Sequence, residues 1–154
     1  MDLNLKKVPQ SENNENKVEK MIVLGAGPAG LSAALYAAIA ELSPLVLTGM
    51  SLGGQASLTH TIENYPGFPE GVGGSELGEL FQKQAEKFGA RFEFDNVTEV
   101  DFSESPYKIK TYGKQYLAET VVISTGASPN YLEIPGEKEF TGKGVSYCGT
   151  CDGW

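Results

Sequence analysis

Two short patterns in this chain hold residues that could do chemistry. The first is Cys148-Gly149-Thr150-Cys151, followed by Asp152. A C-x-x-C pair brings two sulfurs within disulfide reach and lowers the pKa of one thiol, so attack and resolution can share a site. A half zinc site and two buried thiols are the bland alternatives. Zinc needs four ligands, and beyond these cysteines the chain offers only one histidine, His60, so the supply falls short and no metal is expected. Asp152 can be read as the group that moves the proton released in exchange, or as a solvated carboxylate beside a Gly-rich turn. His60, in the polar stretch Thr59-His60-Thr61, reads as a surface residue.

The second pattern is Gly25-x-Gly27-x-x-Gly30, with Pro28 and Ala29 between the last two glycines. Gly25 permits a tight turn, Gly27 lets backbone N–H groups reach a pyrophosphate at the positive end of a helix, and Gly30 lets that helix lie close to the preceding strand. Out of context the pattern is weak. Here it follows the continuous apolar run Met21-Ile22-Val23-Leu24, which suits a strand buried on both faces of a parallel sheet, and it opens an Ala- and Leu-rich segment at 31–40 that reads as a helix. Pro28 fits the first helical turn, where its missing N–H costs nothing. About 20 residues on, where an acidic side chain usually takes the ribose hydroxyls, the chain has Thr48, whose hydroxyl can make one of those bonds.

These patterns must be positioned by the rest of the chain. Leu45-Val46-Leu47 completes a strand–helix–strand unit. Residues 48–74 hold seven glycines and two prolines without helical or alternating period, a long loop of the kind that is usually functional. A second helix is expected from about Ser75 to Phe88, with Leu77, Leu80, Phe81, Ala85 and Phe88 at helical spacing and Gly89 as its stop. Arg91-Phe92-Glu93-Phe94 alternates as a strand does. Residues 107–112 and 115–118 flank Gly113-Lys114 as a hairpin, and 120–124 returns to the buried-strand type before Thr125-Gly126-Ala127. The fold class expected is α/β: a Rossmann-like three-layer domain with a parallel sheet and a small antiparallel β-meander.

The chain of 154 residues carries 12 Lys and Arg against 20 Asp and Glu, a net charge of −8 with no basic cluster, which argues against nucleic acid or an anionic membrane surface as partner. Residues 1–20 are polar and mixed in charge, the composition of a mobile leader. No apolar run approaches the roughly 20 residues that span a bilayer, so a cytoplasmic location is expected.

Four pieces in order, GAGPAG (25–30), TGMSLGGQ (48–55) running on to IENYPGFPEG (62–71), ISTGASP (123–129) and CGTCDG (148–153), together resemble the low-molecular-weight, prokaryotic-type thioredoxin reductases over nearly everything from residue 21 to 154. The resemblance implies an FAD cofactor, an NADPH donor, and electron flow from nicotinamide to flavin to the CxxC disulfide and on to thioredoxin or a similar protein disulfide, in an enzyme that is usually a homodimer. It places Gly25, Gly27, Pro28, Ala29 and Gly30 on the FAD pyrophosphate. Thr48, Gly49, Met50, Ser51, Leu52, Gly53, Gly54 and Gln55, with Asn64, would line the ribityl and isoalloxazine side, Val97 would offer backbone groups to the adenine, and Thr125, Gly126 and Ala127 would close the site. It makes Cys151 the sulfur facing the flavin, Cys148 the one that exchanges with substrate, and Asp152 the acid.

The family's second GxGxx(G/A) and its inserted NADPH domain have no counterpart in the sequence. The expected division is therefore a leader at 1–20, an FAD-binding part at 21–128, and at 129–154 an exposed linker with the truncated start of an NADPH and redox domain. A fragment or truncated form not competent alone is the expectation. A non-catalytic nucleotide- or partner-binding half-domain, and the FAD and dithiol part of a reductase with another acceptor, are the alternatives.

Overall fold

The computed structural model describes residues 17–141 and 143–149. Cys151, Asp152 and most of the expected leader lie outside them. A parallel sheet is built from β2 (Ile22–Leu24), β3 (Leu45–Leu47), β4 (Arg91–Glu93) and β8 (Val121–Ile123) in the order β4-β3-β2-β8. Its inner strands are continuously apolar because side chains alternate between two buried faces. Val23 and Val46 point to one core, with Ala26, Leu31, Ala34, Ala38, Ala85 and Ala90. Ile22, Leu24, Leu45 and Leu47 point to the other, with Ile109 and Ala118.

Two helices supply the first core. Helix α1 (Pro28–Ile39) has Pro at its first turn, and small residues dominate its buried face, so it lies close to the sheet. Helix α2 (Gly74–Lys87) buries Leu77, Gly78 and Ala85, and Phe81 packs against the same core. It ends where Gly89 adopts φ +103°, the expected glycine stop. Leu80 and Phe88, expected on the same face, are exposed instead.

The second core is capped by a smaller sheet in the order β1-β7-β6-β5, with β1 spanning Val18–Glu19. Within it β5 (Val97–Asp101), β6 (Tyr107–Thr111) and β7 (Gln115–Ala118) form the antiparallel meander, and the β6–β7 hairpin turns at Gly113-Lys114 as the sequence predicts. The helices, the parallel sheet and the meander make the three layers expected.

The leader expected through residue 20 is shorter at its end. Strand β1 (Val18–Glu19) runs parallel to β7, with Val18 opposite Leu117 and Glu19 opposite Ala118. A polar composition conceals this because Glu19 is buried as half of an ion pair: Arg91 Nη2 donates to its Oε2 at 2.5 Å and Nη1 to its Oε1 at 3.2 Å. Arg91 also donates to the Ser43 carbonyl at 3.0 Å, so one guanidinium ties the chain start, the β3 approach and β4 together. Two other stretches are more ordered than expected. The long loop contains a 3-10 turn (Gly54–Leu58) and an isolated bridge between Ile62 and Val72. The stretch 129–154, expected to open as an exposed linker, contains a short helix α3 (Glu137–Phe140).

Candidate dinucleotide cleft and redox disulfide

Three loops meet at the carboxyl ends of β2, β3 and β8, where open α/β sheets bind ligands. The first is 25–30. Gly25 stands at φ +102°, a left-handed conformation, and a Cβ there would meet the Ser124 carbonyl oxygen at 2.4 Å. At Gly30 a Cβ would meet the Gly25 carbonyl oxygen at 2.0 Å and Ser124 Oγ at 2.6 Å, so α1 crosses the strand end at a distance only glycine permits. Gly27 differs. Its φ is −76°, and the nearest atom to a Cβ there is the Gly54 Cα at 3.9 Å. Gly27 is the N-cap of α1, a position that favours glycine over alanine without requiring it, and the open space beside it leaves room for close approach of a ligand. No side chain caps the first turn of α1 and no acidic residue lies in it. The N–H groups of Ala29 and Gly30, at the positive end of the helix, suit an anion such as a pyrophosphate. These features fit the dinucleotide.

The second loop is 48–55. Gly53 N–H donates to the Ala26 carbonyl at 2.8 Å, joining it to the first loop. Gly53 and Gly54 have a packing reason of their own beside the close flavin approach expected of them. A Cβ on Gly54 would lie 3.0 Å from the Gly27 Cα, and one on Gly78 of α2 would lie 2.9 Å from the Gly53 Cα. Three backbones therefore stack through glycines. Within this loop Met50 and Ser51 are exposed, while Leu52 packs against the helix-side core.

The third loop follows β8. Ser124 Oγ donates to the Leu24 carbonyl at 2.8 Å and lies 3.2 Å from that of Gly25, and Ser124 N–H donates to Leu24 at 2.9 Å. Thr125, Gly126 and Ala127 are exposed, with Gly126 at φ +69°. Gln55 Nε2 donates to the Ala127 carbonyl at 3.1 Å, spanning the second and third loops. Asn64 sits exposed in the stretch that the Ile62–Val72 bridge pins.

Thr48 is buried, and its hydroxyl donates to the Gly49 carbonyl at 2.9 Å. A ribose can therefore use it only as an acceptor. The acids nearest the strand end are Glu93 and Asp95, whose carbonyls accept the Thr48 and Gly49 N–H groups. Both carboxylates are engaged within the protein. Burial pushes the Glu93 carboxyl up, but the bonds from Lys114 Nζ at 2.8 Å and Tyr116 Oη at 2.5 Å outweigh it and hold the group below its ordinary value. Burial, with Glu93 alongside, raises the Tyr116 phenol. The Asp95 carboxyl is lowered by Thr111 and by backbone N–H groups, that of Gly113 at 3.2 Å among them. Asn96 Oδ1 stands 3.2 Å from where a Gly49 Cβ would be, which brings the start of β5 at Val97 to this side of the cleft. Sequence reasoning missed Ser124, Gly78 and Asn96 as parts of the site. A serine directly before a Thr-Gly turn was the available signal for the first, while the other two act only through contacts distant in sequence.

Cys148 is disulfide-bonded and half-buried. Its N–H donates to Ser146 Oγ at 3.1 Å, and that hydroxyl donates to the Cys148 carbonyl at 3.1 Å. The chain's other cysteine, Cys151, is outside the described residues, as is Asp152. Among the described residues no helix is long and apolar enough to cross a membrane.

Residues 19–154 match the family described as pyridine nucleotide-disulphide oxidoreductase. A thioredoxin reductase of Rickettsia bellii is 48% identical over 136 residues, which are 88% of this chain and 44% of that protein. A glucosaminate ammonia-lyase of Pseudomonas fluorescens is 45% identical over 140 residues, 91% of this chain and 44% of that protein. The crystal structure of thioredoxin reductase from Streptococcus pyogenes superposes with a TM-score of 0.82 at 38% identity, over 90% of this chain and 45% of that one. The chain thus spans less than half the length of the relatives it matches.

Proposed function

The chain belongs to the pyridine nucleotide-disulphide oxidoreductase family, and from that premise we propose that it carries the FAD cleft and the redox disulfide of a thioredoxin-type disulfide reductase, with NADPH as the electron donor. One observation carries this reading: Cys148 is already disulfide-bonded and partly accessible, downstream of a cleft whose Gly27 has open space beside it for a ligand.

In this reading Ala29 and Gly30 N–H groups hold the pyrophosphate, Gly27 admits it, and Gln55 bound to Ala127 keeps the second and third loops closed over the cofactor. Bound FAD would supply a two-electron relay between a nicotinamide and the disulfide. Two electrons and two protons convert the Cys148–Cys151 disulfide into two thiols. The Cys148 thiolate then attacks an acceptor disulfide, forming a mixed disulfide and expelling one acceptor thiolate. Cys151 attacks Cys148, restores the internal disulfide and releases the acceptor as a dithiol, with Asp152 as the acid for the leaving thiolate. The acceptor is a protein disulfide of the thioredoxin kind, and the proposed setting is a cytoplasmic homodimer.

The test is to add FAD to the purified chain, pass it through gel filtration, and reduce the retained flavin with light and a sacrificial donor. Retained flavin absorbance and the appearance of two titratable thiols per chain are expected. Flavin that elutes free, or bound reduced flavin that yields no thiols, overturns the proposal.

A further inference from the structure

Among the described residues two acidic side chains are buried, Glu19 and Glu137. The first has Arg91. Among the described residues the second has no cation, and three donors stand in for one. Leu132 N–H donates to its Oε1 at 2.9 Å, Glu133 N–H to its Oε2 at 2.7 Å, and Tyr147 Oη to its Oε1 at 2.9 Å. The Leu132 N–H first, then the Tyr147 hydroxyl and the Glu133 N–H, hold the carboxyl below its ordinary value despite its enclosure. Glu133 takes φ +58°, a left-handed conformation that a non-glycine residue adopts only when held. The far end of the network is the residue directly before Cys148, and the Tyr147 ring also packs edge-on to Tyr131 with centroids 5.3 Å apart.

Only an ionised carboxylate accepts from three donors while presenting none of its own. A glutamine turns an NH2 group onto at least one of them. The carboxylate thus clamps the turn at 132–133 to residue 147 and fixes the backbone from which Cys148 projects. We propose that Glu137 is a positioning residue for the redox disulfide, acting through the Tyr147 hydroxyl to hold Cys148 where the disulfide closes. This rests on the reading of Cys148 as redox-active. Holding one end of a disulfide loop raises the effective concentration of its thiols for each other, so releasing it favours the dithiol.

The experiment equilibrates the purified chain in glutathione redox buffers and counts reduced and oxidised protein by thiol alkylation and mass, so it needs no flavin. Relative to wild type, E137Q is expected to shift the exchange constant toward the dithiol about tenfold, a potential about 30 mV higher. Y147F, which removes only the connecting hydroxyl, is expected to shift it the same way, and E137Q/Y147F no further than the larger single shift. A purely structural Glu137 lowers the melting temperature in E137Q but leaves Y147F at the wild-type potential, and that result overturns the proposal. If E137Q does not fold, Y147F alone decides. A wild-type chain that glutathione cannot reduce at all sinks the redox reading itself, a different outcome from a wild-type potential that neither variant moves.

Discussion

Gly27 and Gly30 belong to one motif, yet the structure assigns them opposite kinds of constraint, and alanine at each separates them. Gly30→Ala places a methyl 2.0 Å from the Gly25 carbonyl oxygen and 2.6 Å from Ser124 Oγ. Helix α1 must retreat from β2 by roughly an ångström. Overpacking of this kind costs about 1–3 kcal/mol or more, and because the obstacle is backbone the upper end applies, while better helix propensity returns about 1 kcal/mol. A net loss of about 2 kcal/mol lowers the melting temperature by about 4–8 °C in a chain of this size. Gly27→Ala places its methyl in open space, 3.9 Å from its nearest neighbour, at φ −76°. Its melting temperature should fall by only about 1–4 °C, since the change touches no packed surface and gives up about 0.5–1 kcal/mol of glycine's advantage at the N-cap. In the proposed FAD binding, followed by flavin fluorescence quenching, the methyl would stand between the phosphate oxygens and the N–H groups. Loss of one charge-assisted hydrogen bond weakens binding about 10- to 100-fold. Wild-type FAD affinity in Gly27→Ala would refute the ligand-approach reading of that glycine, and an unchanged melting temperature in Gly30→Ala would refute the contact argument.

Removing the guanidinium in Arg91→Gln leaves a buried Glu19 carboxylate with only Lys17 at 3.0 Å, and a loss of about 1–3 kcal/mol in urea unfolding at neutral pH is expected. Burial raises the Glu19 carboxyl, but hydrogen bonds from Arg91 and Lys17 outweigh it and the folded pKa lies below 4.5. The stabilisation is therefore present above pH 4.5 and lost as pH falls through the folded value, so the variant's stability should decline less steeply than wild type below about pH 4.5. An identical acid limb in both proteins would show that the pair does not stabilise the fold. Ser124→Ala, which deletes the hydroxyl donated to Leu24, should cost about 1 kcal/mol in the same assay and weaken FAD binding by loosening the Gly25 turn. A stability loss with wild-type affinity would separate the brace from the site.

What was legible in the sequence was legible because one cause fixed it locally. The runs at 22–24 and 45–47 are apolar without alternation because two layers cover them, and that pattern has few other meanings. Gly25 and Gly30 announce themselves because a turn and a helix crossing are made within six residues. Strand β1 was not legible: two residues, one of them a glutamate, pair with a strand about a hundred positions away, and Arg91, with Lys17 beside it, makes that burial tolerable. Thr48 reads as a free hydroxyl, yet the structure turns it onto the Gly49 carbonyl. Glu137 looks like one more charge in an acidic linker, since its partners are two backbone amides and a tyrosine ten residues on.

The brace from Ser124 to Leu24 and Gly25 spans about a hundred residues of chain. Closing a loop of that length costs on the order of 4 kcal/mol of chain entropy before any contact rewards it. The turn proposed to hold the pyrophosphate is therefore finished only when β8 docks beside β2, so it is assembled late in folding and released early in unfolding. On the proposed function, flavin capture would report that β8 has arrived: in refolding experiments it should trail the recovery of helical signal, and added FAD should slow the unfolding limb more than it speeds the folding one.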